Sequence, residues 1–386
     1  MLKKIVCIFA ALTIMTVVLA GCGKETPTPV VDKSPLENLI GDRVFTPLSE
    51  ESQRYTVNLG YYNCDHMTAA VIGQDSGIFE ALGIGGVNLT GNGRVPEAMA
   101  AGHMDMGYIN CRTPLSAKLL GTPLFIAADN HTGGAEYLVV SHNIKEPQDL
   151  IGKRIAIDSA PTSSLNWMEW ANALGIPSDL SNYEHFAMSD ADEYFALVAG
   201  ELDAFIACDP WGSMAEYEDT GWVMRRQNTD RPDGHGTCCK VVMSYDFAEK
   251  YPDLAERMIL AHTLSVQHMY LHPYRSAEIF SNNYSVPLEV GLMTMYKKLN
   301  EEGRTIRWDL NEEYYQNQLN TLEAHDLFEE LHGLDVRDFI DLTYYNNSGA
   351  DDFETFLAEK VDPLFPLGMT YEEWRAKAVA VDGISE

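Results

Sequence analysis

Short apolar strands alternate with helices through the middle of this chain, and this alternation constrains the fold more than any other feature. Strands that follow one another across intervening helices need crossover connections, so they favour parallel pairing within an α/β protein. The expected strands are residues 56–61, 105–109, 124–128, 154–157 and 202–208, and the expected helices are residues 67–82, 96–101, 115–120, 163–174 and 189–200. The chain is therefore predicted to be an α/β protein with largely parallel sheets.

Two local patterns support the helix assignments. Trp167, Trp170, Ala171 and Leu174 recur at i, i+3, i+4 and i+7, which predicts one buried helical face. Ser189, with an acidic residue three positions later, is typical of a capping box at a helix start. Beyond residue 253 the sequence predicts a long helix to about 271, and residues 285–386 are predicted to be mostly helical.

The amino end has the layout of a secretory signal. Two lysines, Lys3 and Lys4, precede an apolar run of about 16 residues, shorter than the roughly 20 that a spanning helix needs. The run ends in Leu19-Ala20-Gly21-Cys22, which resembles the bacterial lipobox and implies cleavage before Cys22 and diacylation of its thiol. An ordinary signal peptide with a chance cysteine is the alternative. We therefore expect a signal peptide at residues 1–21 and lipidation at Cys22.

Composition separates a tether from the globular part. Residues 22–54 shift in composition to Pro, Thr, Ser and charged residues, which predicts a flexible linker between the lipid anchor and a globule that begins at Tyr55. No second apolar run is long enough to cross a bilayer.

The charge of the chain excludes one class of partner. The formal net charge is −30, and loss of the two lysines in residues 1–21 would make the mature chain about −32. Such a surface repels nucleic acid and anionic lipid, so no nucleic-acid partner is expected and membrane attachment must depend on the lipid.

Several motifs, in this order, resemble the nitrate/sulfonate/taurine-type solute-binding proteins of ABC importers. They are Gly60-Tyr61-Tyr62 with Asp75-Ser76-Gly77-Ile78-Phe79, then residues 146–156 (EPQDLIGKRIA), then Gly200-Glu201-Leu202-Asp203-Ala204-Phe205 with Asp209-Pro210-Trp211, and finally Ser244-Tyr245-Asp246-Phe247 with Tyr251-Pro252. Each motif alone is weak, but together they cover about residues 55–273 behind a lipobox.

The resemblance implies a type II periplasmic-binding-protein fold with two lobes, hinge strands and a helical C-terminal region. We expect lobe one at residues 55–138 and 245–386, and lobe two at 139–244. It also implies a monomer without a cofactor or enzymatic activity, which captures a small molecule between the lobes and delivers it to an ABC permease. The localisation implied is extracytoplasmic, with attachment to the bilayer through Cys22.

By the same resemblance, three segments contribute ligand contacts from loops and helix starts. They supply Asn63, Asp65 and His66 after the first strand, Asn110 and Thr113 after a second strand, and Ser163 and Ser164 before the Trp167 helix. Each set has a structural alternative: Asp65 as the N-cap of the following helix, and turn or capping roles for the Asn, Thr and Ser residues.

The remaining predicted contacts favour a cationic or nitrogen-rich ligand, guanidine-like or pyrimidine-like. Asp209 and Trp211 would pair an acid with an indole, Glu136 would add a second acid, and Cys239 stands about where nitrate-binding members carry a lysine. A hinge salt bridge is the alternative role for Asp209, and an exposed charge is that for Glu136. Arg112 keeps a nitrate or sulfonate ligand open.

Two alternatives come from other classes. A thiamine-pyrimidine-synthase-like enzyme shares the fold, although Met67 aligns with the histidine of that family and no catalytic set is recognised. A metal-binding protein is the other. Cys64, Cys111, Cys208, Cys238 and Cys239 all fall around the expected cleft with His66 and His235, yet their spacing matches no known metal motif. Their odd number does not suggest a disulfide framework, and we expect no metal site.

Overall fold

The computed structural model describes residues 34–62, 64–91, 94–157, 161–227 and 236–385, without the side chains of Pro161, Thr162 and Ser164. The predicted signal peptide, Cys22, Asn63 and His235 lie outside the described residues. Within the described ranges, none of the helices combines the length and the hydropathy that a membrane-spanning segment requires.

Strands of the described chain form two five-stranded sheets, in the orders β2-β1-β3-β10-β4 and β7-β6-β8-β5-β9. Their bounds are β1 (Val57–Tyr61), β2 (Val87–Gly91), β3 (Met106–Asn110), β4 (Leu124–Thr132), β5 (Glu136–Ser141), β6 (Arg154–Ala156), β7 (Glu184–Phe186), β8 (Ala204–Cys208), β9 (Gly221–Arg226) and β10 (Thr237–Ser244). The predicted two-lobed α/β fold is confirmed.

Both sheets are mixed rather than largely parallel. In the first sheet β1 pairs in parallel with β2 and β3, whereas β10 runs antiparallel to β3 and β4. In the second, β6 is parallel to β7 and β8, whereas β5 is antiparallel to β8 and β9. The antiparallel strands are the ones next to the crossings between the sheets, where the chain enters or leaves a lobe directly and needs no helical crossover.

The chain crosses between the sheets after β4 and again after β9, and these crossings define the lobes. β5 begins the second sheet at Glu136, and β10 (Thr237–Ser244) belongs entirely to the first sheet. The expected boundaries at residues 138 and 244 therefore need correction: strand pairing places residues 136–138 in lobe two and 237–244 in lobe one. The five strands expected from the sequence include neither β5 nor β10, so the sequence did not indicate which sheet each one joins.

Seventeen α-helices surround the sheets in the described chain. They are α1 (Ser34–Ile40), α2 (Glu50–Arg54), α3 (Ala69–Asp75), α4 (Ile78–Ala81), α5 (Val95–Ala100), α6 (Thr113–Leu119), α7 (Pro161–Leu174), α8 (Asp190–Val198), α9 (Trp211–Tyr217), α10 (Tyr245–Lys250), α11 (Pro252–Leu271), α12 (Pro273–Tyr284), α13 (Leu288–Tyr296), α14 (Glu312–Ala324), α15 (Thr343–Asn347), α16 (Phe353–Phe356) and α17 (Tyr371–Val381). Tighter or wider helical turns occur at Asp65–Met67, Pro147–Leu150, Leu180–Asn182, Lys297–Glu301, Glu329–Leu331, Val336–Phe339 and Leu357–Val361.

Several helix predictions are confirmed, and one is wrong in detail. Trp167 and Trp170 of α7 are each 1% exposed, so the predicted apolar face is buried. Ser189 caps α8 by accepting a hydrogen bond from the Asp192 backbone N–H. The single helix expected at 67–82 is instead α3 and α4, because Gly77 adopts a left-handed conformation with φ 82° between them.

The linker prediction is also wrong for part of its range. Residues 34–54 form α1 and α2 against the globule, where Leu39 and Leu48 are each 6% exposed. Asp253 at the start of α11 accepts hydrogen bonds from the Ser49 backbone N–H (2.6 Å) and the Ser52 hydroxyl (2.5 Å). Apolar residues spaced along this segment bury enough surface to hold it in place, and the Pro- and Thr-rich composition describes only its beginning.

Candidate functional site

A cavity of about 730 Å³ lies between the two sheets. The carboxyl ends of β1, β3 and β8 reach it, as do the starts of β5 and β10. Ligands of open α/β sheets bind beyond the carboxyl ends of the strands, so this cavity is the candidate binding site. Of the predicted contacts, His66, Asn110, Glu136 and Cys239 line it, whereas Asp65, Thr113, Ser163, Asp209 and Trp211 do not. Asn63 and the Ser164 side chain lie outside the description.

His66 reaches the cavity from the loop after β1, and Asp65 lies behind it. Asp65 is fully buried, with Oδ1 2.7 Å from His66 Nδ1 and Oδ2 3.1 Å from Lys298 Nζ. Burial alone would raise the pKa of Asp65, but Lys298 and His66 lower it to about 2. Asp65 forms no N-cap hydrogen bond, so the capping alternative is wrong. Its carboxylate instead orients His66 and neutralises a buried lysine.

The turn after β3 has the structural role that the sequence left open, and it also reaches the cavity. Asn110 Oδ1 accepts hydrogen bonds from the backbone N–H groups of Arg112 (3.0 Å) and Thr113 (2.9 Å) and from the Thr113 hydroxyl (2.9 Å). This is the local turn chemistry expected of asparagine. Asn110 and Arg112 nonetheless line the cavity, and the Arg112 guanidinium lies 5.3 Å from the centre of the Phe328 ring.

Lobe two contributes an acidic wall. Glu136, the first residue of β5, accepts a hydrogen bond at Oε2 from the Asn166 side-chain amide at 2.7 Å, and Glu169 lies one helical turn further along α7. Burial raises the pKa of Glu136 to about 7, although the Asn166 hydrogen bond opposes the shift. The Ser163 side chain is buried away from the cavity lining.

Asp209 forms the salt bridge that was its alternative role, and Trp211 packs within lobe two. Asp209 is 1% exposed and accepts hydrogen bonds from the Ser213 backbone N–H (2.9 Å) and hydroxyl (2.7 Å), while Lys297 Nζ lies 3.7 Å away. The Trp211 ring packs against Tyr194, with the ring centres 5.5 Å apart. Because Lys297 belongs to lobe one, its pairing with Asp209 links the two lobes, and Asp209 is not among the residues that line the cavity.

Free thiols occupy one side of the cavity. Three of them line it together: Cys64, Cys238 and Cys239. The sulfurs of Cys238 and Cys239 lie 3.5 Å apart, and Cys64 Sγ is 3.5 Å from His66 Nε2. A hydrogen bond from Cys239 holds the pKa of the Cys238 thiol well below its usual range, whereas burial raises the pKa of Cys239.

Sequence reasoning missed one wall completely. Tyr314, Asn317, Gln318 and Thr321 of α14 line the cavity. They recur at i, i+3, i+4 and i+7, which makes one polar helical face. That polar stripe was readable in the sequence, but nothing in it indicated that α14 returns to the cleft.

Comparisons with known proteins agree with this geometry. The NMT1-like family model matches residues 50–280, more than half of the chain. A taurine-binding periplasmic protein from Escherichia coli (strain K12) is 28% identical over 184 residues, which cover 47% of this chain and 51% of that protein. The match therefore spans about half the length of that curated relative.

Solved structures show the same fold at low identity. A zinc-bound ligand-binding component of an ABC-type import system from Staphylococcus aureus has a TM-score of 0.62 at 17% identity, covering 77% of this chain and 99% of that one. An alkanesulfonate-binding protein from Xanthomonas axonopodis pv. citri, bound to MOPS, has a TM-score of 0.59 at 17% identity, covering 74% and 98%. A desulfurization enzyme has a TM-score of 0.55 at 14% identity, covering 76% and 98%.

The resemblance to nitrate/sulfonate/taurine-type binding proteins that the motifs predicted is thus confirmed. The two sheets, the cavity between them and the extent of the family match lead to one conclusion: the chain belongs to the NMT1-like family.

Proposed function

We propose that this protein is an extracytoplasmic solute-binding protein that captures a small cationic or nitrogen-rich molecule between its lobes and delivers it to an ABC permease. The observation that carries the proposal is the Glu136 carboxylate on the cavity wall, hydrogen-bonded to the neutral Asn166 amide. A carboxylate in this position can form a charge-assisted hydrogen bond to a cationic N–H group.

The balance of charge around the cavity supports a cation. Two acids, Glu136 and Glu169, line the cavity. Among the described lining residues Arg112 is the only arginine, and none is a lysine. The buried lysines do not line it. Each lies within 3.1 Å of a carboxylate oxygen: Lys240 pairs with Asp129, Lys297 with Glu216 and Lys298 with Asp65. Their charge is therefore already neutralised and does not favour an anionic ligand.

A sulfonate or similar anion is the second candidate. Its support is Arg112 on the wall, together with relatives whose names record taurine and alkanesulfonate binding. A guanidinium can hold such a group through two parallel hydrogen bonds. The two candidates therefore differ in whether Glu136 or Arg112 holds the charged end of the ligand.

The mechanism is non-covalent. The ligand bridges the two lobes and shifts the population toward the closed state, because it contacts both lobes only there. Enzymatic conversion is not part of the proposal, although a desulfurization enzyme shares the fold. We further propose a monomer held at the membrane through a diacylated Cys22, so that captured solute stays near its permease.

A thermal-shift and calorimetric screen of the full chain tests the proposal. Alkylguanidinium and aminopyrimidine compounds are expected to raise the melting temperature, since a ligand stabilises the state that binds it. Glu136→Gln should then weaken binding about tenfold or more, through loss of a charged hydrogen bond. Glu184→Gln, an exposed acid on the edge strand β7, is the matched control and should bind normally.

Two results would overturn parts of the proposal. A shift with taurine or nitrate alone, abolished by Arg112→Gln and retained in Glu136→Gln, would establish the anionic ligand. Uptake of the identified solute that continues unchanged in cells lacking this protein would exclude delivery to a permease.

A further inference from the structure

We propose that Cys64, His66, Cys238 and Cys239 form a binding site for one thiophilic cation of the zinc class on the cavity wall. All four residues belong to lobe one and line the cavity. The site is therefore complete without lobe closure, and it goes beyond the capture of an organic solute.

The separations of two donor pairs match those of ligands on a single ion. Zinc bonds of about 2.3 Å to sulfur and about 2.0 Å to nitrogen, in tetrahedral geometry, place two sulfurs about 3.8 Å apart and a sulfur and a nitrogen about 3.5 Å apart. Cys238 and Cys239 Sγ are 3.5 Å apart, and Cys64 Sγ is 3.5 Å from His66 Nε2. The ligand atoms of His66, Cys238 and Cys239 all lie within 4.8 Å of one another.

His66 is oriented as metal-binding histidines are. Its Nδ1 lies 2.7 Å from Asp65 Oδ1, and Asp65 is in turn held by Lys298 at 3.1 Å. A histidine that donates Nδ1–H to a carboxylate keeps the lone pair on Nε2, which makes Nε2 the metal-binding atom. Here Nε2 is the nitrogen that faces the Cys64 thiol.

A local irregularity of β10 brings the two adjacent cysteines to one side. Neighbouring residues of a regular strand point to opposite faces. The pairing of β10 with β4 shifts register between Thr237 and Cys239 and again after Cys239, and such irregularities redirect side chains at functional sites. Both thiols consequently line the same cavity.

A second histidine gives independent support. His131, at the end of β4, is fully buried, and neither of its ring nitrogens has a conventional hydrogen-bond partner. The centre of its ring lies 4.8 Å from that of the His66 ring. Buried polar groups without partners are uncommon in folded proteins. This one lies beside the proposed ligands, where thiolate and imidazole donors would select a soft cation over magnesium or calcium.

The test uses the full chain, stripped with a chelator under reducing conditions and then given Zn²⁺ or Co²⁺ alone. We expect one Zn²⁺ per chain by elemental analysis, release of thiol protons on binding, and thiolate-to-cobalt absorption with Co²⁺. The double variant Cys238→Ser/Cys239→Ser should weaken zinc binding at least about 100-fold, since it removes two direct ligands and loss of an outer-shell partner alone costs about 10- to 100-fold. Cys208→Ser is the matched control: this cysteine also lines the cavity, but from lobe two, and it should bind zinc normally.

Three results would each contradict the proposed zinc site: substoichiometric zinc, equal zinc affinity in the double variant, or cobalt spectra without thiolate absorption. Circular dichroism is the control that every variant is folded. Because solute binding is assayed on metal-free protein and zinc binding without organic solute, failure of either proposal is visible separately.

Discussion

Two groups of buried polar residues lie close together in this protein and differ in how their charges are satisfied. We define the hinge cluster as Asp65, Asp209, Lys297, Lys298 and Glu302, and the cavity wall as His66, Glu136, Cys64, Cys238 and Cys239. In the hinge cluster every carboxylate lies within 3.7 Å of a lysine nitrogen. On the cavity wall Glu136 is hydrogen-bonded to a neutral amide, and the thiols contact one another or His66.

This difference distinguishes buried charges that stabilise the fold from polar groups that can bind a ligand. Charges buried together, with their hydrogen bonds made, stabilise an arrangement and are costly to break. Groups that face a cavity with part of their bonding capacity unused can bind a ligand. The Asp209–Lys297 pair of the hinge cluster therefore links the lobes, and the cavity wall keeps polar atoms available to a ligand.

The largest expected loss of stability follows from removal of the lysine at the centre of the hinge cluster. Lys298→Met would leave Asp65 and Glu302 without their common lysine, which lies 3.1 and 3.0 Å from them. Because uncompensated buried charge is strongly unfavourable, we expect a loss of about 3–5 kcal/mol of unfolding free energy. Urea denaturation at pH 7 measures it. The exposed Lys153→Met should change stability by less than about 0.5 kcal/mol, and equal stability of the two variants would contradict the assignment.

A smaller effect is expected at Asp209, and it has two readouts. Asp209→Asn removes one partner of Lys297, which keeps Glu216 at 3.0 Å, so we expect a loss of about 1–2 kcal/mol in unfolding free energy. Solute affinity, measured by calorimetry with the best alkylguanidinium or aminopyrimidine ligand, should remain within about twofold, since each tenfold step requires 1.4 kcal/mol of lost contact. A tenfold or greater loss would restore Asp209 as a ligand contact.

The smallest expected effect is a gain in unfolding free energy rather than a loss. The pKa of Glu136 is about 7 in the folded protein, whereas that of an unperturbed glutamate is 4.5. The folded state therefore disfavours the charged carboxylate. This penalty is absent below about pH 4.5, grows between pH 4.5 and 7, and is complete above pH 7. Glu136→Gln is therefore expected to stabilise the unliganded protein by about 1 kcal/mol at pH 8, because the carboxylate is only partly buried.

Stability curves of this variant and of the wild type at pH 4 and pH 8 measure that effect. The gain should disappear at pH 4, where both side chains are neutral. Asp190 and Cys238 raise the pKa of Glu136, and Arg112 and Asn166 lower it, so Asp190→Asn should reduce the gain slightly. A destabilised Glu136→Gln at pH 8 would show that the carboxylate is a structural group after all.

Sequence patterns predicted the fold well where the signal is local. Strand and helix alternation, the Trp167 face and the Ser189 cap depend on residues within a few positions of one another, and the structure confirms them. Strand direction and lobe boundaries were predicted less well, because they depend on which sheet β5 and β10 join. The association of α1 and α2 with the globule was missed for a similar reason, since their contacts are with α11 and other distant residues.

The sequence by itself determined the family, the two-lobed organisation and the acidic residue that reaches the cavity from β5. Only the tertiary structure decided which acids are neutralised: Asp65 and Asp209 look equivalent to Glu136 in the sequence, but lysines far along the chain pair with them. Likewise, only the irregular pairing of β10 places Cys238 and Cys239 on one side, next to His66. The physical reason is that charge pairing and coordination depend on distances of a few ångströms between residues remote in sequence, which local patterns do not encode.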